Sequence, residues 1–502
     1  MSKTFELLQP YLDKDMALNT ALTLLSWDME TLAPSGGMDY TAKAVGVLAL
    51  ESFNTLINED VNSLLTKLET PDEQAGLDEV EKAIVKKLRK NYNDLKVIPA
   101  EEFKAYSELQ ATASNVWAQA KEKNDYNHFA PVLKKLIDFQ RKFIGYRYQG
   151  EGNRYDVLLD DYEPGFTVEI LDKFFNEVKE TIIPLVQKVS ANKDKVDNSF
   201  NYRTYNIEKQ KEFCHFMAEY IGFDFNRGVI AESAHPFTTN LHNHDVRITN
   251  HFLENNLESA IFSVIHETGH ALYEMQIDDR LTQTVLGSGT SMGAHESQSR
   301  FFENNIAKST DFWLPVYPKL QEAFKEELKD VSLEDFIKGI NQSTNSLIRT
   351  EADELTYCLH ILIRYEIEKM MFNNEVEVEE LPEIWNKKYE EYLGIRPETD
   401  SEGVLQDIHW ACGNYGYFAS YAIGSAVAAQ IYAHMNKVMP VEQYLREGNL
   451  TPVREFLKEN IHKYGMLKKT NELLKDMMGE ELNAKYFTDY LTEKFTKLYE
   501  LN

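Results

Sequence analysis

A chain of 502 residues with 43% hydrophobic and 27% charged residues has the composition of an ordinary globular protein with an ample core. Its formal net charge of −28 argues against nucleic acid or an anionic membrane as a partner, because both need a basic surface. Its three scattered cysteines, Cys214, Cys358 and Cys412, form no disulfide framework and suit a reducing cytoplasm.

The first twelve residues carry Lys3 and Glu6 and no long apolar core, so no secretory signal is expected. Residues 1 to about 145 read as amphipathic helices, with Leu7, Leu8, Tyr11 and Leu12, and later Val80, Ile84, Val85 and Leu88, at helical spacing. Pro34 and the pair Gly36-Gly37 break this pattern, and residues 26–37 are expected as a loop with Trp27 and Asp28 at a structural corner. A second irregular stretch is expected at 155–165; its acidic residues lack calcium-loop spacing and suit a solvated or helix-capping role. Helices resume from about Thr167 to Gly222. Residues 231–238 and 244–249 then flank a polar turn and predict a β-hairpin. An exposed edge there can pair with an extended peptide, with His235, Asp245 and Arg247 turned toward a cleft. Hydrogen bonding within a small sheet is the plainer alternative for these three.

The next stretch dominates the reading. Leu257, Ile261, Val264, Ile265, Leu272 and Met275 recur every three or four residues, which predicts a helix with one buried stripe, opened by Asn255 and Glu258 as a capping box. It contains His266-Glu267-Thr268-Gly269-His270. On a helix the two imidazoles stand one turn apart on one face and can reach a single tetrahedral ion. Glu267, offset around the helix, can act as general base on a metal-held water without ligating. Positions three and six after His270 hold Tyr273 and Gln276, so the metzincin pattern of Gly and a third His is absent. A following helix supplies the third ligand instead: Ser291 caps it and Glu296 lies in its second turn. His295 diverges from Glu296 by about 100° and is not expected on the same ion. The alternative is a buried helix with two hydrogen-bonded histidines.

Residues 331–372 read as two long helices, the second including 347–357 with Arg349, Glu351 and Asp353 on a solvated face. An acidic turn at 373–380 precedes a helix opened by Pro382. Residues 403–410 and the Gly- and Tyr-rich run 413–421 make either a substrate wall around His409, Tyr417 and Tyr421 or an aromatic core corner. Residues 410–434 carry no charge but are too weakly hydrophobic to span a membrane, and a buried helix is expected.

The motifs His235-Pro236-Phe237, Asp245-Val246-Arg247-Ile248-Thr249, His266-Glu267-Thr268-Gly269-His270, His295-Glu296-Ser297-Gln298, Ile348-Arg349 with Ala352-Asp353, and Gly403-Val404-Leu405-Gln406-Asp407-Ile408-His409-Trp410 follow in order. Over nearly the whole chain they resemble the carboxypeptidase Taq family of metallocarboxypeptidases. The resemblance implies a mainly α, two-lobed gluzincin fold of neurolysin-like shape with a deep groove, and the small β-hairpin or sheet read from residues 231–249 then lies beside the active-site helix. One domain then spans 1–502, with the helices of residues 1 to about 145 placed to serve as a lid. It also implies a homodimer and the release of single residues from peptide C-termini with broad specificity. One Zn²⁺, or Co²⁺ or Mn²⁺, is implied per chain, on His266, His270 and Glu296, with Glu267 as base. Thr268, Met275 and Ala419 depart from residues common in the family, and Ala419 bears on the choice between Tyr417 and Tyr421.

On this reading Tyr421 or Tyr417, helped by His409, stabilises the oxyanion. An Arg holds the terminal carboxylate, with Arg349 ahead of Arg247 and then Arg396. His235 meets the substrate backbone, while Glu303 and Asp353 stand behind the ligating histidines. The same ligands also serve an endopeptidase or aminopeptidase, and a non-catalytic peptide-binding scaffold is the remaining alternative.

Overall fold

In the computed structural model, which describes residues 2–501, helices carry most of the chain and one small sheet interrupts them. The first helix, α1 (Lys3–Thr31), is capped by Ser2, and α2 (Met38–Leu56) packs beside it. Because α1 runs through Ser26 to Thr31, the expected loop shrinks to residues 32–37. Pro34 restricts only the residue before it, so nothing ends the helix sooner. Trp27 is buried edge-on against Phe237, with ring centres 5.6 Å apart. Farther along, α3 (Ala100–Lys123) grips the backbone of residues 405–412. Trp117 Nε1 donates to the Leu405 carbonyl (3.0 Å), Lys121 Nζ to Gln406 (2.9 Å) and Gln110 Nε2 to Cys412 (2.8 Å).

Residues 155–165 are mostly helical rather than irregular. Tyr155, Leu158 and Leu159 bury one side of α4 (Asp156–Tyr162). Glu163, just after it, is fully buried instead of solvated. Its carboxylate accepts from the Ser291 hydroxyl (2.8 Å) and the Gly293 N–H, which caps a helix far along the chain.

The sheet has three strands, β1 (Ile230–Glu232), β2 (Thr238–His242) and β3 (Asp245–Asn250), in the order β1-β3-β2. β2 and β3 form the expected antiparallel hairpin, and β1 adds a parallel partner to β3. The first arm begins only at Thr238, after Pro236, which has no N–H to offer a ladder. Alternation along β3 buries Val246 and Ile248 and leaves Asp245 and Arg247 on the opposite face.

Against the buried face lies α5 (Leu257–Met275). Its cap is Asn256 rather than Asn255, accepting from the Ser259 N–H at 3.1 Å, and its apolar stripe is buried as the spacing requires. Ser291 caps α6 (Met292–Arg300), which widens into a π-helical turn over Phe301–Ile306. Two glycines let α6 approach its neighbours. A Cβ at Gly269 would sit 2.6 Å from the Gln298 carbonyl, and one at Gly424 would sit 2.6 Å from Cβ and Cγ of Glu296.

The expected helix through 347–357 is absent. Residues 341–356 are irregular apart from a 3₁₀ turn at Arg349–Glu351, and α7 begins at the end of them (Tyr357–Phe372). The physical reason is Asp353, whose carboxylate takes the N–H groups of Thr344 (3.0 Å), Leu355 (2.9 Å) and Thr356 (3.1 Å) away from a helical ladder. The uncharged stretch becomes α8 (Phe418–Val438), buried along most of its length. Among the described residues no helix is long and apolar enough to cross a membrane, and Cys214, Cys358 and Cys412 are free thiols.

Candidate active site

His266 and His270 stand one turn apart on α5, with ring centres 4.8 Å apart. Glu296 enters from α6, its Oε2 lying 3.8 Å from His266 Nε2 and 3.6 Å from His270 Nε2. These separations approach the ~3.3 Å edge of a tetrahedron with bonds of about 2.0–2.1 Å. The other carboxylate oxygen, Oε1, accepts from Arg300 Nε at 2.7 Å. Burial works to raise the pKa of Glu296, but the Arg300 guanidinium and the imidazoles hold it well below the usual carboxylate range. Burial lowers His270 to about 3 and keeps its ring neutral, the form that ligates. His266 is raised: burial opposes this, and the carboxylates of Glu296 and Glu303 outweigh it. Two imidazoles and one anionic oxygen, with the fourth tetrahedral place open, fit a divalent ion in a catalytic rather than a closed site.

Behind His266, Glu303 Oε2 lies 2.7 Å from Nδ1. Burial would raise Glu303, yet Arg300 and His266 bring it down to about 2. Behind His270 stands His295, with the two Nδ1 atoms 2.6 Å apart. His295 therefore turns away from the Glu296 carboxylate, as neighbours on a helix must. Asp353, expected behind a ligand, instead organises the irregular segment before α7. Glu267 is buried, which raises its pKa, and its Oε2 accepts from the Thr238 hydroxyl at 2.6 Å.

A second cluster joins Arg349, His409, Tyr417 and Tyr421. Arg349 is buried rather than solvated; its Nε and Nη2 each lie 2.9 Å from Asp407 Oδ1. Arg364 takes Oδ2 of the same carboxylate at 2.6 Å. Two guanidiniums thus share one carboxylate, and one positive charge is left over beside Tyr421, whose ring centre is 5.1 Å from Arg349 Cζ. His409 Nε2 lies 3.3 Å from the Tyr421 hydroxyl, while its Nδ1 is buried without a partner. Burial lowers His409 to about 4 and raises Tyr417 to about 12, so the ring is neutral and the phenol protonated near pH 7. The Tyr417 and Tyr421 rings are 5.2 Å apart, and Glu296 influences both phenols.

Other expected residues do not join these clusters. Asp245 and Arg247 pair with each other through two 2.8 Å contacts on the sheet face turned from α5, with Arg247 over the Trp27 ring. His235 is exposed in the β1–β2 loop, its carbonyl accepting from the Ser233 hydroxyl at 2.6 Å. Arg396 pairs at the surface with Glu383 and Glu390. Sequence reasoning overlooked Arg300, Thr238, Arg364 and Asp407 as site residues. Arg300 was within reach, since it falls four residues after Glu296 and three before Glu303. Asp407 was also within reach, two residues before His409 in the 403–410 motif, whereas Thr238 and Arg364 meet the site only through long-range packing.

A donor set of two half-buried imidazoles and a buried carboxylate, beside the desolvated Glu267 on a helical scaffold, is the arrangement of a metal-dependent peptide hydrolase. The family model for carboxypeptidase Taq (M32) metallopeptidase matches residues 8–495. Carboxypeptidase 1 of Bacillus subtilis (strain 168) is 46% identical over 483 residues, 96% of each chain. Thermostable carboxypeptidase 1 of Pyrococcus furiosus is 36% identical over 485 residues, 95% of this chain and 96% of that one. The crystal structure of M32 carboxypeptidase from Deinococcus radiodurans R1 superposes with a TM-score of 0.95 at 31% identity, covering 99% of this chain and 100% of that one. The chain belongs to the carboxypeptidase Taq (M32) family and is a metallocarboxypeptidase.

Proposed function

We propose that this enzyme removes single residues from free peptide C-termini with broad specificity, uses one Zn²⁺ per chain, and works as a homodimer in the cytoplasm. The observation that carries the reading is Glu296, with one oxygen held by Arg300 and the other facing both imidazoles. His266, His270 and Glu296 would hold the ion, for which Co²⁺ or Mn²⁺ suit the same donors. When bound, it supplies Lewis-acid chemistry, acidifying water and polarising a carbonyl oxygen.

Glu267 takes the proton of the attacking water and passes it to the leaving amine; its burial and raised pKa favour that exchange. The phenols of Tyr421 and Tyr417 donate to the substrate oxygen as charge develops there, and neutral His409 orients Tyr421. Arg349 holds the terminal carboxylate with the charge that Asp407 leaves uncompensated. His235 is assigned to the peptide backbone beside the β2 edge, whereas Asp245 and Arg247 neutralise each other and seat α1 on the sheet. The helices of residues 1–145 reach the sheet through Trp27 and residues 405–412 through α3, and Phe53 stacks on Phe103 between α2 and α3 (6.0 Å). That span supports their role as a lid over a groove between two lobes.

One peptide prepared with free, amidated and acetylated termini tests the reading. Amidation of the C-terminus should stop hydrolysis, whereas an endopeptidase or aminopeptidase would continue, and acetylation of the N-terminus should have no effect. Metal analysis and sedimentation of the same preparation check the ion and the dimer.

A further inference from the structure

The two ligating imidazoles are backed by different chemistry. His266 rests directly on a carboxylate, whereas His270 rests on a second imidazole, whose Nε2 lies 2.6 Å from Glu274 Oε1. Two facing ring nitrogens hydrogen-bond only when one carries a proton and the other does not. Glu274 decides which. Its remaining partners are all donors: Asn240 Nδ2 to Oε2, and the Ser288 hydroxyl and Gly289 N–H to Oε1, both at 3.2 Å. A carboxylate filled in this way accepts from His295 Nε2–H, and in the neutral imidazole that leaves Nδ1 as a lone pair. His270 Nδ1 must then carry the proton, and His270 Nε2 presents its lone pair on the side where Glu296 Oε2 waits 3.6 Å away. The other tautomer of His295 would set a lone pair against the carboxylate and place the His270 proton on Nε2, where it blocks ligation.

The surroundings hold the His295 ring in that pose. The Tyr273 ring centre lies 5.4 Å from it. A Cβ at Gly289 would come within 2.7 Å of His295 Cδ2 and 2.9 Å of Tyr273 Cε1, so the loop closes over the ring only because glycine stands there. Strand β2 supplies both Asn240 to Glu274 and, two residues earlier on the same face, Thr238 to Glu267.

We propose that His295, oriented by Glu274, is a positioning residue that sets the tautomer and ring angle of His270 for metal binding. This rests on the metal-site reading above. Groups in this position behind a ligand typically alter metal affinity 10–100-fold.

The test compares zinc dissociation constants, by competition with a chromophoric chelator, for the wild type, His295→Asn, His295→Leu and Glu274→Gln, along with melting of the metal-free forms. Asparagine keeps an acceptor oxygen near the Nδ1 position, and leucine keeps bulk without one. The expected result is binding weakened 10–100-fold by H295L, roughly tenfold by E274Q, and by less than about threefold by H295N, each variant still melting cooperatively without metal. Wild-type affinity in H295L, or equal losses in H295L and H295N, would overturn the proposal. Should H295L not fold, Glu274→Met decides instead: it keeps the length of the side chain but offers His295 Nε2–H no acceptor, and undiminished affinity rejects the role. A wild type that takes up no zinc, or keeps it when His270→Ala is made, overturns the metal-site reading instead.

Discussion

Arg300 grips one oxygen of Glu296 and turns the other toward the imidazoles: Nε lies 2.7 Å from Oε1, while Oε2 faces His266 and His270. The same guanidinium reaches Glu303 Oε2 at 3.1 Å, so one cation steadies the third ligand and the group behind the first. Arg300→Met would leave two buried carboxylates without their cation, which typically costs about 3–5 kcal/mol. The expected outcome is a lower melting temperature of the metal-free protein and zinc binding at least ~10-fold weaker by chelator competition.

Gly424 presses on the stem of the same ligand. Gly424→Ala places a methyl 2.6 Å from Glu296 Cβ and Cγ, so either the α6–α8 contact opens or the carboxylate shifts. Overpacking of this kind costs about 1–3 kcal/mol, and here it should also reduce metal content after dialysis. Gly394→Ala is a poor control because of its positive φ; Gly46→Ala, in open space on α2, is the suitable one and should leave metal content unchanged while it stabilises the helix by about 0.5–1 kcal/mol.

Glu267→Gln separates chemistry from ligation. The amide can still accept from Thr238 but cannot carry a proton to the leaving amine. The turnover number should fall by about 10²–10⁴ while zinc stoichiometry is preserved, as read by metal analysis of the purified variant.

Arg349→Gln tests the carboxylate anchor. Asp407 keeps Arg364, so the local fold should survive while the spare positive charge disappears. Losing one partner of a buried charged contact costs about 2–5 kcal/mol, so kcat/KM should drop by roughly 30- to several-thousand-fold. Arg349→Lys, a point charge without the planar fork, should recover only part of it. Undiminished hydrolysis of a free-carboxylate peptide by the glutamine variant would remove Arg349 from this role.

Glu368 carries a pH dependence of stability. Burial raises its carboxyl to about 7, against the hydrogen bonds from Tyr155, the Gly416 N–H and Trp410. The folded state therefore keeps a proton that the unfolded chain releases above its ordinary value near 4.5. This contribution is complete below pH 4.5, declines as pH rises, and is gone above about 7; by linkage it amounts to ~3 kcal/mol. Glu368→Gln should flatten the fall in melting temperature between pH 4.5 and 7, measured on metal-free protein.

What sequence alone determined was local. The 3.6-residue period placed His266, Glu267 and His270 on one helix and Glu296 one turn into the next, because those relations depend only on helical geometry and a capping serine. Strand-forming residues on either side of a polar turn indicated the hairpin before the metal helix, and the family motifs carried the rest of the outline. Tertiary structure decided where side chains compete with or complete the backbone. Asp353 takes three N–H groups and dissolves a helix that its neighbours would favour, which buries Arg349 instead of leaving it solvated. Glu163 caps a helix whose N-cap, Ser291, lies 128 residues later. Asp407 joins Arg349 to Arg364, and Glu274 reaches His270 only through His295. Such pairings follow from which distant segments pack together, and a buried charge or N–H must find its partner there whatever its sequence neighbours are.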